Sequence, residues 1–366
     1  MLSFSTKNLY RFNWGLLTIT LILISFSLLI LYSLDLGNEN NLFFFKKQLA
    51  FVGLGILLFF VFNAIDYKIF KTYSYWIYLF SLFLLTAVLF FGKSIHGTQG
   101  WFVIGNFQFQ PVEISKIALI IVLSRFFSIK AYEIKTIQFI TLSGILLAPS
   151  LILVMRQPDL GSAIILFILW FGMLLVSGIK KKHLFFISLS LITIFIFAWF
   201  FGLQEYQKAR ILTFLNPSSD PLKTGYNVIQ SKIAIGSGQI FGRGFSFGTQ
   251  SQLNFLPEAH TDFILSSLAE SLGFLGITLI LFFYGLFFYI IIKKLKTVYD
   301  DFGIFLIIGI LIYFISQIFL NIAMNIGMAP VIGIPLPLLS YGGSSLIITF
   351  IMLGIVSSVL TKNRYG

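Results

Sequence analysis

Apolar runs of 18 or more residues recur along the whole length of this chain. Each is long enough to cross a hydrocarbon core of ~30 Å as a helix. Lipid cannot satisfy open backbone groups, so only helices and closed barrels survive there, and these runs are too long and continuous for barrel strands. The expected fold is therefore an all-α integral membrane protein. Composition agrees: 58% of the 366 residues are hydrophobic and 10% are charged, against about 25% charged in soluble domains.

Ten spans are predicted, at 14–34, 47–64, 73–91, 111–127, 137–155, 161–179, 184–203, 262–292, 302–324 and 342–361. Charge interrupts the fourth, which has the weakest hydropathy signal. The first run, Leu16–Leu34, is too long for a signal-peptide core and lacks a small-residue cleavage site, so it is expected to remain as a helix.

The net charge of +12 would suit nucleic acid, but the basic residues cluster between apolar runs, as positive-inside anchors do. Nucleic acid is not an expected partner. With a cytoplasmic N-terminus, the inner segments carry Lys7 and Arg11; Lys68 and Lys71; Arg125, Lys130 and Lys135; and Lys180–Lys182. Lys293, Lys294, Lys296, Lys362 and Arg364 complete the set, which is 15 of the 25 basic residues. Both termini are thus expected in the cytoplasm. The absence of cysteine excludes disulfides and thiolate metal sites, and His96, His183 and His260 show no metal-ligand spacing.

Residues 1–366 read as a single polytopic domain, with one long extracytoplasmic loop at 204–261. In it, Val228, Ile229, Lys232, Ile233 and Ile235 fit an amphipathic helix on the membrane, following a turn at Asn216–Pro221. Gly236, Gly238, Gly242, Gly244 and Gly248 resemble a nucleotide loop, but Phe241 breaks the pattern and no Walker Lys-Ser/Thr follows. They read as a flexible, close-packed outer loop.

Ionisable residues at a membrane span are costly and by default mark a site. Four polar clusters fall on the outer half. Gln110–Lys116 opens the fourth span, where Pro111 suits a first helical turn and Glu113 and Lys116 share a face; a self-neutralised pair and a site are both open readings. Arg156-Gln157-Pro158-Asp159 is either a solvated cap or functional. Pro257–Asp262 leads into the eighth span, where Asp262 suits an N-cap as well as catalysis. Glu270, two turns deeper, is either structural or faces a cavity. Ile334–Ser345, with Pro335, Pro337, Gly342 and Gly343, suits a re-entrant backbone lining a polar cavity.

These clusters, in this order, resemble the SEDS family of shape, elongation, division and sporulation proteins. The resemblance rests on Trp101 with Phe107–Lys116, Arg156–Ser162, Gly225–Gly238, Pro257–Phe263, Gly333–Pro337 and Ser340–Ser345. Together they span about 95–355. Gly248–Pro257 is similar to the elongation branch rather than the division branch, although Ala259 and Ser271 depart from the usual pattern.

The resemblance implies a SEDS-type fold and a peptidoglycan glycosyltransferase. Such an enzyme joins lipid II into β-1,4 glycan on the outer face of the bacterial inner membrane. It would work with a class B penicillin-binding protein and other elongation-complex proteins. A pyrophosphate leaves readily, so one carboxylate to serve the acceptor hydroxyl, plus cations for the leaving group, suffices for a single inverting displacement. Asp262 is the candidate catalytic carboxylate, with Lys116 expected beside it to favour its ionised form. Arg156, Arg210, Lys232 and Arg243 are candidates for pyrophosphate. Trp101, Glu113, Asp159, Glu258, His260, Thr261, Ser340 and Ser344 complete the expected substrate-binding set. A divalent cation (Mg or Mn) would fall to Glu113 and Asp262, though no pure carboxylate cage is visible. The rival readings are a lipid II flippase, which should carry polar groups through the midplane, a description that only Glu270, Ser316, Asn321 and Asn325 approach, and a scaffold without chemistry.

Overall fold

The computed structural model describes residues 12–37, 42–95, 97–105, 107–130, 136–201, 205–216, 225–253 and 255–362. Lys7, Arg11, His96, Lys135, Arg364 and the turn residues 217–221 lie outside them.

A helix meets each predicted span, with residues 202–203 of the seventh outside the described residues: α1 (Trp14–Gly37), α2 (Phe43–Ala64), α3 (Tyr67–Phe91), α4 (Pro111–Ile129), α5 (Ile137–Arg156), α6 (Leu160–Ser177), α7 (Lys181–Phe201), α11 (Ile264–Leu295), α12 (Asp301–Asn325) and α13 (Gly343–Lys362). Among the described residues, eight of these are long and apolar enough to cross a membrane by length and composition. α4 falls outside that group because Glu113, Lys116 and Arg125 interrupt it, yet it is the most interior helix of its half. It packs against α3, α5, α6 and α12. Ile117, Ile120 and Ile121 join one core, built largely from α1, α11, α12 and α13, while Ala118, Leu119 and Val122 join a second around α3, α5 and α6. A helix shielded by neighbours on all sides carries charge more cheaply than one facing lipid. The outward faces are apolar instead, as with Phe90 and Phe91, which are 76% and 80% exposed.

Side chains start several helices where the chain leaves the bundle. Asp66 accepts from Lys68 N at 2.9 Å, Thr136 from Phe139 N at 3.2 Å and Asp300 from Gly303 N at 3.0 Å. One element was not legible from hydropathy. Between α3 and α4 the chain makes an antiparallel meander of β1 (Lys93–Ile95), β2 (Thr98–Ile104) and β3 (Phe107–Phe109), with Val103 opposite Gln108. It delivers Gln110 and Pro111 to the start of α4.

Among its described residues the long connection holds three short helices, α8 (Glu205–Leu215), α9 (Tyr226–Ser237) and α10 (Thr249–Gln252). α9 occupies the stretch expected to be amphipathic. The glycines beyond it are close-packed but firmly tied rather than loose. At Gly273, φ 67° and ψ −167° interrupt α11, a conformation that only glycine adopts readily. The backbone groups freed there are taken up by the glycine loop: Phe274 N donates to Gln239 O at 2.8 Å and Leu275 N to Ile240 O at 3.1 Å. In return, Arg243 N donates to Glu270 O and Gly244 N to Ser271 O, both at 2.9 Å. A Cβ on Gly242 would collide with the backbone of Ser271 and Leu272. The break in α11 is thus satisfied inside the protein, as helix breaks at membrane depth must be.

Candidate functional site

The Glu113–Lys116 pair forms one turn into α4, with Lys116 Nζ 2.6 Å from Glu113 Oε1 and both side chains nearly fully buried. The Tyr313 hydroxyl of α12 reaches the other carboxylate oxygen at 3.4 Å. Beside the pair opens a polar cleft of about 30 Å³, lined by Gln110, Glu113, Lys116, Asp159, Ser162, Ile165, Gln317 and Gly333–Pro335. Gln110 Nε2 donates to Asp159 Oδ2 at 3.2 Å, while Asp159 Oδ1 caps α6 by accepting from Ser162 N at 2.9 Å. Asp159 is therefore both a helix cap and a wall of the cleft.

Asp262 comes to the same place from another element. α11 starts at Ile264 after Phe263, so Asp262 lies before the helix boundary and is not its cap, and the helical span begins two residues later than expected. Asn321 of α12 sets its position: Nδ2 donates to Asp262 O at 3.0 Å and to Ile334 O at 2.8 Å. Asn325 Nδ2 adds a second bond to Asp262 O at 3.0 Å. These amides bind the backbone and leave the carboxylate directed elsewhere. Its Oδ2 atom stands beside Gly333, a cleft residue with φ 70°, 3.6 Å from where a Cβ would lie. The carboxylate thus sits at the rim, and the hydrogen-bonded partner of Lys116 is Glu113 rather than Asp262.

Several other candidates hold the frame. Thr261 Oγ1 donates to Glu258 Oε2 at 2.7 Å, and His260 Nε2 is 4.0 Å from the same oxygen. The His260 ring stacks on Phe44 of α2 at 4.1 Å, with Tyr341 edge-on to both. Burial, and next the Asp35 carboxylate, push the Tyr341 phenol above its ordinary value, so it stays neutral near neutral pH. Ser340 Oγ donates to Thr261 O at 2.7 Å and accepts from Leu336 N at 2.8 Å. Ser344 Oγ donates to Gln108 O at 3.1 Å and accepts from Gln110 N at 3.3 Å. The segment before α13 is thereby laced to the segment before α11, and the first turn of α13 to the residues that lead into α4.

Arg210 and Lys232 form a second, basic corner. Arg210 lines a cleft of about 20 Å³ with Thr213, Phe214, Val228, Gly327 and Val331, and donates to Val331 O at 3.3 Å. Lys232 reaches across to Gly327. The structure does not bring the remaining candidates to either cleft. Arg243 is exposed and bonds Ser237 O and Thr249 Oγ1 within the glycine loop. Arg156 is exposed at the end of α5, and Trp101 is half-buried in β2 opposite Lys93. Glu270 is fully buried and structural: its two oxygens accept from Gln250 N and Ser251 N, each at 2.9 Å.

The residues do not fit a divalent cation at Glu113. Both of its oxygens are engaged, by Lys116 and Tyr313, and among the described residues no three acidic or histidine side chains converge. Sequence reading missed Tyr313 and Gln317. The available signal was their spacing with Asn321 and Asn325, four polar residues at every fourth position of an otherwise apolar helix, which share one face.

Comparison with known proteins accords with this architecture. Residues 7–365 match the cell cycle protein family of FtsW, RodA and SpoVE. Peptidoglycan glycosyltransferase MrdB of Escherichia coli K12 is 36% identical, over 95% of this chain and 93% of that protein. A solved chain from a peptidoglycan synthase complex that coordinates polymerization and crosslinking superposes with a TM-score of 0.82 at 29% identity, covering 97% of this chain and 99% of that one. Thermus thermophilus Rod shape determining protein RodA gives a TM-score of 0.69 at 26% identity, over 97% of this chain and 98% of its own. This chain belongs to the FtsW, RodA and SpoVE family, the SEDS proteins.

Proposed function

We infer that this chain is a peptidoglycan glycosyltransferase that joins lipid II into β-1,4 glycan and releases undecaprenyl pyrophosphate. The carrying observation is the Asp262 carboxylate at the rim of a cleft that holds the buried Glu113–Lys116 pair. Asp262 receives or orients the proton of the acceptor 4-hydroxyl as that oxygen attacks the anomeric carbon. The bond from that carbon to pyrophosphate breaks on the opposite face, which turns the α linkage into β. Lys116 at the cleft, and Arg210 and Lys232 at the basic corner, meet the charge that develops on the leaving group. Glu113 holds Lys116 in place. Apolar faces between the helices accommodate the polyprenyl tail.

The positive-inside pattern supports a cytoplasmic-membrane location with both termini inside and the site on the outer face. A class B penicillin-binding protein is the proposed partner, in keeping with the synthase complex to which one structural neighbour belongs. Asn321 and Asn325 of α12 argue against transport, because they are spent on the backbone around Asp262 rather than lining a path.

The test is to incubate wild type and Asp262→Ala with lipid II and a class B penicillin-binding protein, with moenomycin present to silence polymerases of the other type. Strands on a gel from wild type and none from a folded mutant are expected. Strands from neither, with lipid II crossing liposomes, would overturn the reading in favour of a flippase.

A further inference from the structure

Gln317 is 0% exposed and its amide lies beside the Tyr313 hydroxyl, yet neither Nε2 nor Oε1 completes a well-formed hydrogen bond among the described residues. Its neighbours on the polar face of α12 are all engaged. Tyr313, one turn earlier and alongside it, directs its hydroxyl to Glu113, and Asn321 and Asn325 bind Asp262 O. A buried amide left without partners is costly, and such groups in native proteins are met by water or ligand. Gln317 lines the cleft beside Glu113 and Lys116, whose volume of about 30 Å³ admits roughly two waters. That space is too small for a sugar ring and suits one or two hydroxyl groups projecting from a ring outside.

We propose that Gln317 binds the vicinal hydroxyl pair of the acceptor sugar, the 3- and 4-hydroxyls, and so aims the 4-hydroxyl at Asp262. A carboxamide has one acceptor and two donors, so it accepts from one hydroxyl and donates to the next. A phosphate offers acceptors alone and would leave Oε1 unmet. The bound hydroxyls take the place of water in the cleft, and Asp262 at the rim receives the proton. This inference rests on the polymerase reading above.

The experiment measures strand extension with two lipid-linked acceptors, the natural one and its 3-deoxy analogue, for wild type and Gln317→Met. Wild type is expected to use the 3-deoxy acceptor about 30-fold less efficiently, since a site built to bind a hydroxyl rejects its absence. Gln317→Met slows the natural acceptor by a similar factor and treats the two acceptors alike. Equal slowing of both acceptors by the variant, with wild-type discrimination retained, overturns the proposal in favour of a site that holds water only. If the variant does not fold, wild type decides alone, and a 3-deoxy rate within threefold of the natural one overturns the proposal. A wild type that extends neither acceptor overturns the polymerase reading, and this inference with it.

Discussion

Glu113 in α4 and Glu270 in α11 are both buried helix carboxylates, 3% and 0% exposed, set in very different surroundings. Glu270 is closed off: two backbone amides of α10 occupy its oxygens, its own carbonyl accepts from Arg243 N, and the glycine loop packs over it. Glu113 is held by side chains, Lys116 and Tyr313, and looks onto a cleft with Asp262 at its rim and an unsatisfied Gln317 in its wall. Burial of a charge therefore does not by itself mark a site. A carboxylate satisfied by backbone is part of the frame, whereas one in a side-chain network beside open polar space sets a charged partner at the site.

The sharpest separation comes from Asp262→Asn. Strand synthesis should fall by about 10²–10⁴-fold, the range for a lost general base. The melting temperature in detergent should stay near wild type, because Asn321 and Asn325 hold the Asp262 carbonyl and not its side chain.

Gly273→Ala should do the reverse. Its backbone conformation excludes a side chain, and the new Cβ would meet the backbone of Gly242 and Ile240. A loss of about 3 kcal/mol in stability is expected, read as a large drop in thermal unfolding; an unchanged midpoint would mean that the break in α11 is not a structural lock.

Replacing the charged pair together, Glu113→Gln with Lys116→Met, should leave thermal stability close to wild type, since neutral isosteres often match a buried ion pair. Polymerisation should nonetheless drop about 100-fold. Retained activity would reduce the pair to a packing device.

Glu270→Gln keeps one acceptor and sets an NH₂ against an amide donor. It should cost roughly 2 kcal/mol in stability while activity per folded molecule stays within about threefold of wild type. The smallest effect is expected for Arg243→Ala, whose bonds stay within an exposed loop. Its KM for lipid II should change less than about twofold, and a large rise would return Arg243 to the pyrophosphate site.

Hydropathy made most of the spanning helices readable, because lipid demands that a span satisfy its backbone internally with a long apolar run, and it was weakest at α4, where Glu113, Lys116 and Arg125 interrupt the run. It left the β1–β3 meander invisible, since that segment mixes Trp101, Phe102 and Val103 with glycine and glutamine in no clean alternation. The site was half legible. Glu113 and Lys116 declared themselves by sharing a face, and Asp262 by its charge ahead of a span. Ser340 and Ser344 looked like cavity lining but bond to the backbone at Thr261, Leu336, Gln108 and Gln110, in part across more than two hundred residues of sequence.

The sequence by itself determined which segments enter the membrane, the charge bias of their connections and the family motifs, because these depend on residue type and near-neighbour spacing. Only the tertiary structure decided that Glu270 is closed and Glu113 open, that Asp262 reaches the cleft from outside its helix, and that Gln317 stands in the cleft wall. A hydrogen bond is a property of two groups, and when α4, α11 and α12 must meet to form it, neither sequence neighbourhood contains the answer.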